Sequence, residues 1–288
     1  MSGDLRAWER RGRHLEVDGN RIFVVEIGEG TGAPLVMVHG FPGSSHDFAE
    51  VAERLGSGRR VVLLDLLGFG LSDKPTSARY SLFEQADLVE AVLGRLGIGR
   101  CVLIAHDMGD TVVAELTYRH NLGVLGFVPE QVILTNGSIF IDLAQLTSGQ
   151  RAMLRLPARA LPFSPPHWLL ARAIDRSFSP RAPAPAGAID ALIEAIERNG
   201  GGRLLPRQNR YILERRAHQD RWTAGLVEYP EPLALIWGEC DPIAVPEMPA
   251  RLLELRPDAA VTGLPGIGHW PQLEAPDRLA ELIGQRLG

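Results

Sequence analysis

The sequence predicts an α/β protein built on a mostly parallel sheet, and three observations carry that prediction. Short runs rich in Val, Ile and Leu recur along the chain. These runs are apolar at nearly every position rather than every second one, as strands covered on both faces require. Between them lie longer stretches with helical periodicity, which supply the crossovers that parallel strands need.

The elements follow in order. RIFVVEIGEG (21–30) reads as an early strand, then PLVMVHG (34–40), RVVLLDLLG (60–68), CVLIAHD (101–107), QVILTNG (131–137), PLALIWGE (232–239) and AAVTGLP (259–265). SLFEQADLVEAVLGRLG (81–97) opens on a serine with Glu84 three residues later and stops at glycine, a capping box and a helix stop. GDTVVAELTYRH (109–120) and APDRLAELIGQRL (275–287) read as amphipathic helices. The alternation breaks once. From 139 to 228 no strong strand run occurs, and QLTSGQRAMLRLPARALPF, ALIEAIERNGG and RQNRYILERRAHQDRW have helical character. The expected organisation is a core over 1–138, a helical cap over 139–228 inserted between strands, and a second part of the core over 229–288. SPRAPAPAGAID is a loop inside the insertion. The basic residues from Arg203 to Arg221 read as a solvated helix face.

Composition bounds the function. With 288 residues, 45% hydrophobic and 23% charged, the chain has the make-up of a soluble globular protein with a substantial core. A net charge of −5 makes no case for nucleic acid or an anionic membrane as partner. No run of about 18 apolar residues is present to span a membrane. The N-terminal MSGDLRAWERRGRHLEV is charged and lacks the apolar stretch of a secretory signal. Cys101 and Cys240 are too few for a disulfide framework and are expected to be buried thiols. The expectation is a cytoplasmic monomer or homodimer acting on a small molecule.

The chemistry starts in VLIAHDMGDTVV (102–113). A buried strand, a small residue, a central residue, and glycine two positions on, then a helix, is the nucleophile-elbow pattern. The central residue is Asp107, where a serine is common. Taken alone, the motif leaves a helix N-cap as the lesser alternative for Asp107. Two further residues change that reading. Asp241 follows the strand PLALIWGE, and His269 lies in the Gly-rich loop GIGHWPQLEAP. Nucleophile, acid and histidine in this order, each at or just past a strand's C-terminal end, form a hydrolytic triad. VMVHGFPGSS follows the strand where an oxyanion-hole loop belongs, so the N–H groups of Phe41 and Met108 are the expected oxyanion donors, with Pro42 a candidate cis residue. His39 and His106 are read as structural. Glu239 is a lesser candidate for the acid, and Asn136 ends a strand where it could not supply the charge. Asp65, Asp73 and Asp110 read as loop or cap residues.

With these motifs the chain resembles the α/β-hydrolase fold, in the branch of the epoxide hydrolases and haloalkane dehalogenases, which share a His-Asp-x-Gly elbow like His106–Gly109. DLLGFGLSDKP, YSLFEQADLVEAVL, HDMGD, NGSIF and PQLEAP are similar to the mesoderm-specific transcript (MEST) proteins and their bacterial relatives. The resemblance implies an eight-stranded, mostly parallel sheet flanked by helices, with the cap inserted between strands 6 and 7.

A carboxylate nucleophile suits attack on saturated carbon, giving an alkyl ester on Asp107 that His269-activated water would hydrolyse. No cofactor is required and no metal-ligand spacing is visible. Dehalogenases of this branch place Trp after the nucleophile, whereas Met108 stands here, and Phe41 stands where Asn is expected. Epoxide hydrolases supply cap phenols, usually two. The cap has one tyrosine, Tyr211, with His218 or His167 as candidates for a second donor. The first expectation is therefore epoxide hydrolysis to vicinal diols. A haloalkane dehalogenase, with Trp168 or Trp270 holding halide, is the alternative, followed by a ligand-binding protein without chemistry. Ester hydrolysis ranks last because the nucleophile is not serine.

Overall fold

In a computed structural model, which describes residues 5–287, one eight-stranded sheet organises the chain. The strands are β1 (Arg13–Val17), β2 (Asn20–Ile27), β3 (Leu35–Val38), β4 (Val61–Leu64), β5 (Arg100–His106), β6 (Val128–Thr135), β7 (Leu233–Gly238) and β8 (Ala260–Leu264). Their order is β1-β2-β4-β3-β5-β6-β7-β8. β2 runs antiparallel to β1 and β4, and every pairing from β4 to β8 is parallel.

Both faces of the central strands are covered. Val36, Val38, Leu103 and Ala105 join one apolar cluster, while Leu35, Met37, Val102 and Ile104 join another. This is why the runs show no polar alternation. Seven strands coincide with apolar runs in the sequence. The eighth, β1, is an edge strand with three exposed residues among its five, so it carries no apolar run.

The helix Leu82–Arg95 starts as its capping box requires: Ser81 Oγ accepts from Phe83 N, and Glu84 reaches back to Ser81 N. Between β6 and β7 lie the helices Ser148–Arg155, His167–Asp175, Ala188–Glu197, Leu205–Gln208, Tyr211–Ala217 and Gln219–Val227. The last packs on the helix Met108–Asn121 so closely that a Cβ on Gly225 would stand 2.4 Å from Ala114 O. Glu115 joins the two helices, accepting from Arg221 Nε, Arg119 Nε and Trp222 Nε1.

The basic stretch is not the solvated face that its composition suggested. Arg215 is buried, Arg221 pairs with Glu115, and Arg207 bonds backbone carbonyls. Cys101 is buried as expected, but Cys240 is only half-buried, and both are free thiols. Among the described residues, no helix is long and apolar enough to cross a membrane. The first four residues of the charged N-terminal stretch, and Gly288, lie outside the described residues.

β3 lies between β4 and β5; from β3 the chain continues to β4 on one side, and from β5 to β6 on the other. The C-terminal ends of β3 and β5 thus flank a topological switch point, where open α/β sheets bind ligands.

Candidate active site

Asp107 sits at that crevice, between the end of β5 and the helix Met108–Asn121, at φ 51° and ψ −110°. A non-glycine residue at positive φ is strained and persists only where its surroundings fix it. Two glycines do so. A Cβ on Gly109 would come within 2.4 Å of Val38 O, and one on Gly40 within 2.5 Å of Asp107 Cβ. Only glycine lets the helix and the β3 loop approach the elbow this closely.

The β3 loop holds one carboxylate oxygen. Phe41 N donates to Asp107 Oδ2 at 2.9 Å, next to a cis Phe41–Pro42 peptide. The other oxygen, Oδ1, is 4.0 Å from His269 Nε2. The two oxygens are therefore distinct: one is anchored on a backbone N–H and the other faces the imidazole. Met108 is the first residue of the following helix, where backbone N–H groups lack intrahelical acceptors.

Asp241, just beyond β7, accepts from His269 Nδ1 at 2.8 Å through Oδ2. Its Oδ1 accepts from Ile243 N at 2.7 Å and Ala244 N at 3.0 Å, which fixes the carboxylate in place. Glu239 is exposed and makes no such contact. Burial works against charging His269, but Asp241, Asp107 and Glu274 outweigh it and raise its pKa above the usual histidine value. With Nδ1–H given to Asp241, Nε2 is the basic nitrogen turned toward Asp107.

Asn136 links the same parts. Its Nδ2 donates to Asp241 Oδ2 at 2.8 Å and to the carbonyls of Gly238 and Gly268 at 3.3 Å, and its Oδ1 accepts from Gly238 N. This residue at the end of β6 was legible only as unfit to be the acid. Its contact with the acid is a tertiary fact.

His39 and His106 are structural, as expected. His39 accepts from Leu66 N and donates to Gly40 O. His106 donates through Nε2 to His269 O at 2.7 Å and accepts from Gln272, and burial followed by the nearby His269 drives its pKa well below normal. Asp65 anchors loops by accepting from Ser45 N and Leu71 N, and Asp73 pairs with Arg21. Asp110, in contrast, is buried against the Thr135 and Gly137 backbone, and burial followed by the Asp107 charge drives its pKa well above normal.

Of the three cap candidates, Tyr211 alone joins this buried set. Its ring centroid is 5.6 Å from that of Phe41, and burial, then the Asp107 charge, push its pKa upward. The Gln150 side chain lies near enough to the phenol to oppose that rise. Gln150 Oε1 accepts from Thr147 N, so the amide nitrogen is the group left for the phenol oxygen. His218 is exposed, edge-on to Phe83, and His167 is exposed beside Asp190. Trp168 is 67% exposed, and Trp270 donates to Ser177 Oγ at 2.7 Å.

The arrangement can do two things chemically. Asp107 Oδ1 can attack an electrophile, and His269 Nε2 can deprotonate a water near the Asp107 carboxyl carbon. The chain is 40% identical to the LipZ protein of Mycobacterium tuberculosis over 97% of this chain and 96% of that one. It is 33% identical to the mesoderm-specific transcript homolog protein of Bos taurus, over 96% and 85% of the two chains. It is 28% identical to haloalkane dehalogenase 2 of Mycobacterium tuberculosis, over 94% and 93%. Residues 35–282, from β3 to the last helix, match the alpha/beta hydrolase family, and the chain belongs to that family.

Proposed function

We propose that this hydrolase opens epoxides to vicinal diols. The observation that carries the reading is a carboxylate at the elbow, with one oxygen fixed by Phe41 N–H and a buried phenol, Tyr211, beside it. In the first half-reaction Asp107 Oδ1 bonds to an epoxide carbon while the carbon–oxygen bond of the ring breaks. The departing oxygen takes the Tyr211 proton. Gln150 supports this by donating to the phenol oxygen, which leaves the O–H for the substrate.

In the second half-reaction His269 Nε2 takes a proton from water, and the hydroxide adds to Asp107 Cγ. The charge develops on Oδ2, where Phe41 N–H already donates and the Met108 N–H adds its helix-terminal dipole. Collapse breaks the Cγ–Oδ1 bond. The diol leaves with Oδ1 and is protonated by the imidazolium, and the remaining proton on Asp107 restores Tyr211. Asp241 holds the imidazole tautomer and stabilises its charged form. The set calls for no cofactor, and the cap over 139–228 would shape the substrate pocket.

Haloalkane dehalogenation is the second reading, favoured by the shared nucleophile chemistry and by the dehalogenase among the relatives. The tryptophans speak against it, since Trp168 is on the surface and Trp270 donates to Ser177. The test is a panel of epoxides and bromoalkanes given to the purified protein, followed by intact-mass measurement of His269→Ala. Epoxide turnover and an adduct of the epoxide's mass on Asp107 are expected. Halide release without epoxide turnover would transfer the protein to the second reading. Binding of epoxides that stay unchanged would make it a non-catalytic receptor.

A further inference from the structure

We propose that Arg215 is a positioning residue for Tyr211, and that it does the electrostatic work for which a second phenol would otherwise serve. The proposal rests on the epoxide reading. Arg215 is 2% exposed, forms no ion pair among the described residues, and has a terminal nitrogen without a hydrogen-bond partner. A buried arginine in that state is costly unless something nearby uses its charge.

Of its neighbours, Asp110 is a buried carboxyl that burial and the Asp107 charge hold toward the neutral form, which leaves the phenol as the group to use the cation. Nε donates to Thr111 Oγ1 at 2.9 Å, and the guanidinium carbon stands 5.0 Å from the Tyr211 ring centroid. Thr111 is one helical turn beyond Asp107, and Arg215 one turn beyond Tyr211. The Thr111–Arg215 bond is thus a rung between two helices, and one turn earlier the same helices place the nucleophile and the phenol. Glu214 fixes the Tyr211 helix independently, accepting from Ser81 Oγ at 2.6 Å and Leu82 N at 2.5 Å.

The charge then has a chemical use. When Tyr211 gives its proton to the ring oxygen, it becomes a phenolate inside a buried site that also holds carboxylates. Burial and Asp107 both oppose that phenolate, whereas the Arg215 cation favours it. A cation over an aromatic face interacts more strongly when desolvated, and more strongly still when the ring gains charge.

The experiment uses His269→Ala, in which the Asp107 ester accumulates and its rate of formation reports ring opening alone. Styrene oxide is the probe, and intact mass over time is the readout. Adding Arg215→Met is expected to slow adduct formation roughly 10- to 100-fold, the scale of general-acid assistance. Arg215→Lys keeps the charge and is expected to recover most of that rate. Arg215→Met is expected to add nothing in a Tyr211→Phe background, because it acts through the phenol. Thermal melting identifies folded variants. If Arg215→Met does not fold, Thr111→Val, which removes the rung and leaves the charge, is expected to slow ring opening. A rate for Arg215→Met, or for Thr111→Val in its place, within about twofold of its parent would overturn the proposal. Equal slowing by Lys and Met would do the same, since packing alone would explain it. No adduct even in His269→Ala would remove the epoxide reading and this role with it. An adduct in the parent with no effect at position 215 would remove only the role of Arg215.

Discussion

Asn136 Nδ2 stands 2.8 Å from Asp241 Oδ2, the oxygen that also accepts from His269 Nδ1. The acid is therefore held from three sides: by Asn136 at the end of β6, by the Ile243 and Ala244 N–H groups, and by the histidine itself. Asn136 also adopts φ 47°, a left-handed conformation that asparagine tolerates better than other side chains.

Replacing Asn136 by alanine removes a bond to a buried charge and puts a Cβ-bearing residue of lower tolerance at that φ. The expected loss is about 2–4 kcal/mol of stability, read by urea denaturation. Turnover should fall about 100-fold through a misplaced Asp241–His269 pair, with KM little changed. A folded Asn136→Ala enzyme with normal kcat would show that the backbone donors suffice.

The proposed ester on Asp107 is tested by following the route of oxygen. In a single turnover with enzyme in excess in H₂¹⁸O, the first diol should carry no label, because its new oxygen is Asp107 Oδ1. The label should appear in the peptide containing Asp107. Label in the first diol would mean direct attack by water and no ester.

The pH dependence follows from the charges around His269. Asp241, Asp107 and Glu274 hold its pKa above the ordinary value despite burial. A histidine raised on folding contributes stability that is full below its unfolded pKa, about 6.5, and lost as pH rises through the folded value. On the proposed mechanism, catalysis needs the neutral imidazole only in the second half-reaction. By then Asp107 is a neutral ester, so one of the charges raising His269 has gone. Where ester hydrolysis limits kcat, its acidic limb should therefore lie at lower pH than the His269 titration of the free enzyme, followed by NMR. Glu274→Gln should move both downward. Coincident midpoints in the native enzyme would mean that Asp107 charge does not reach His269.

Glu115 is the stability counterpart. It is fully buried, accepts from Arg119, Arg221 and Trp222, and its pKa is lowered because these donors outweigh burial. Glu115→Gln takes the carboxylate from Arg221, leaves Arg119 with Asp87 alone of its close partners, and is expected to lose about 3 kcal/mol at neutral pH. A carboxyl lowered on folding contributes stability above its unfolded pKa, about 4.3, and loses it as pH falls through the folded value. The difference between native protein and variant should accordingly shrink on acidification, as measured by urea melts at several pH values.

The fold was largely legible because buried parallel strands write themselves as continuous apolar runs, and seven of the eight did so. β1 did not, since an edge strand with exposed polar residues has no such run. The triad order was legible too: Asp107, Asp241 and His269 each follow a strand and sit in turns with recognisable spacing. The cap was another matter. Periodicity marked its helices but not their facing, so the sequence offered Tyr211 as the donor with no means of choosing His218 or His167 as a second, and Arg215 looked like one more solvated arginine.

By itself, the sequence determined seven of the eight strands, the elbow with a carboxylate at its apex, and the order of the catalytic candidates. These depend on local pattern: apolar runs, glycines at close approaches and residues just past strand ends. Only the tertiary structure decided that Asn136 braces Asp241, that Phe41 N–H takes Oδ2 and leaves Oδ1 facing His269, and that Tyr211 with Arg215 turns inward while His218 and His167 face solvent. The physical reason is that each of those facts joins segments tens of residues apart, and a helix's rotation is set by what it packs against.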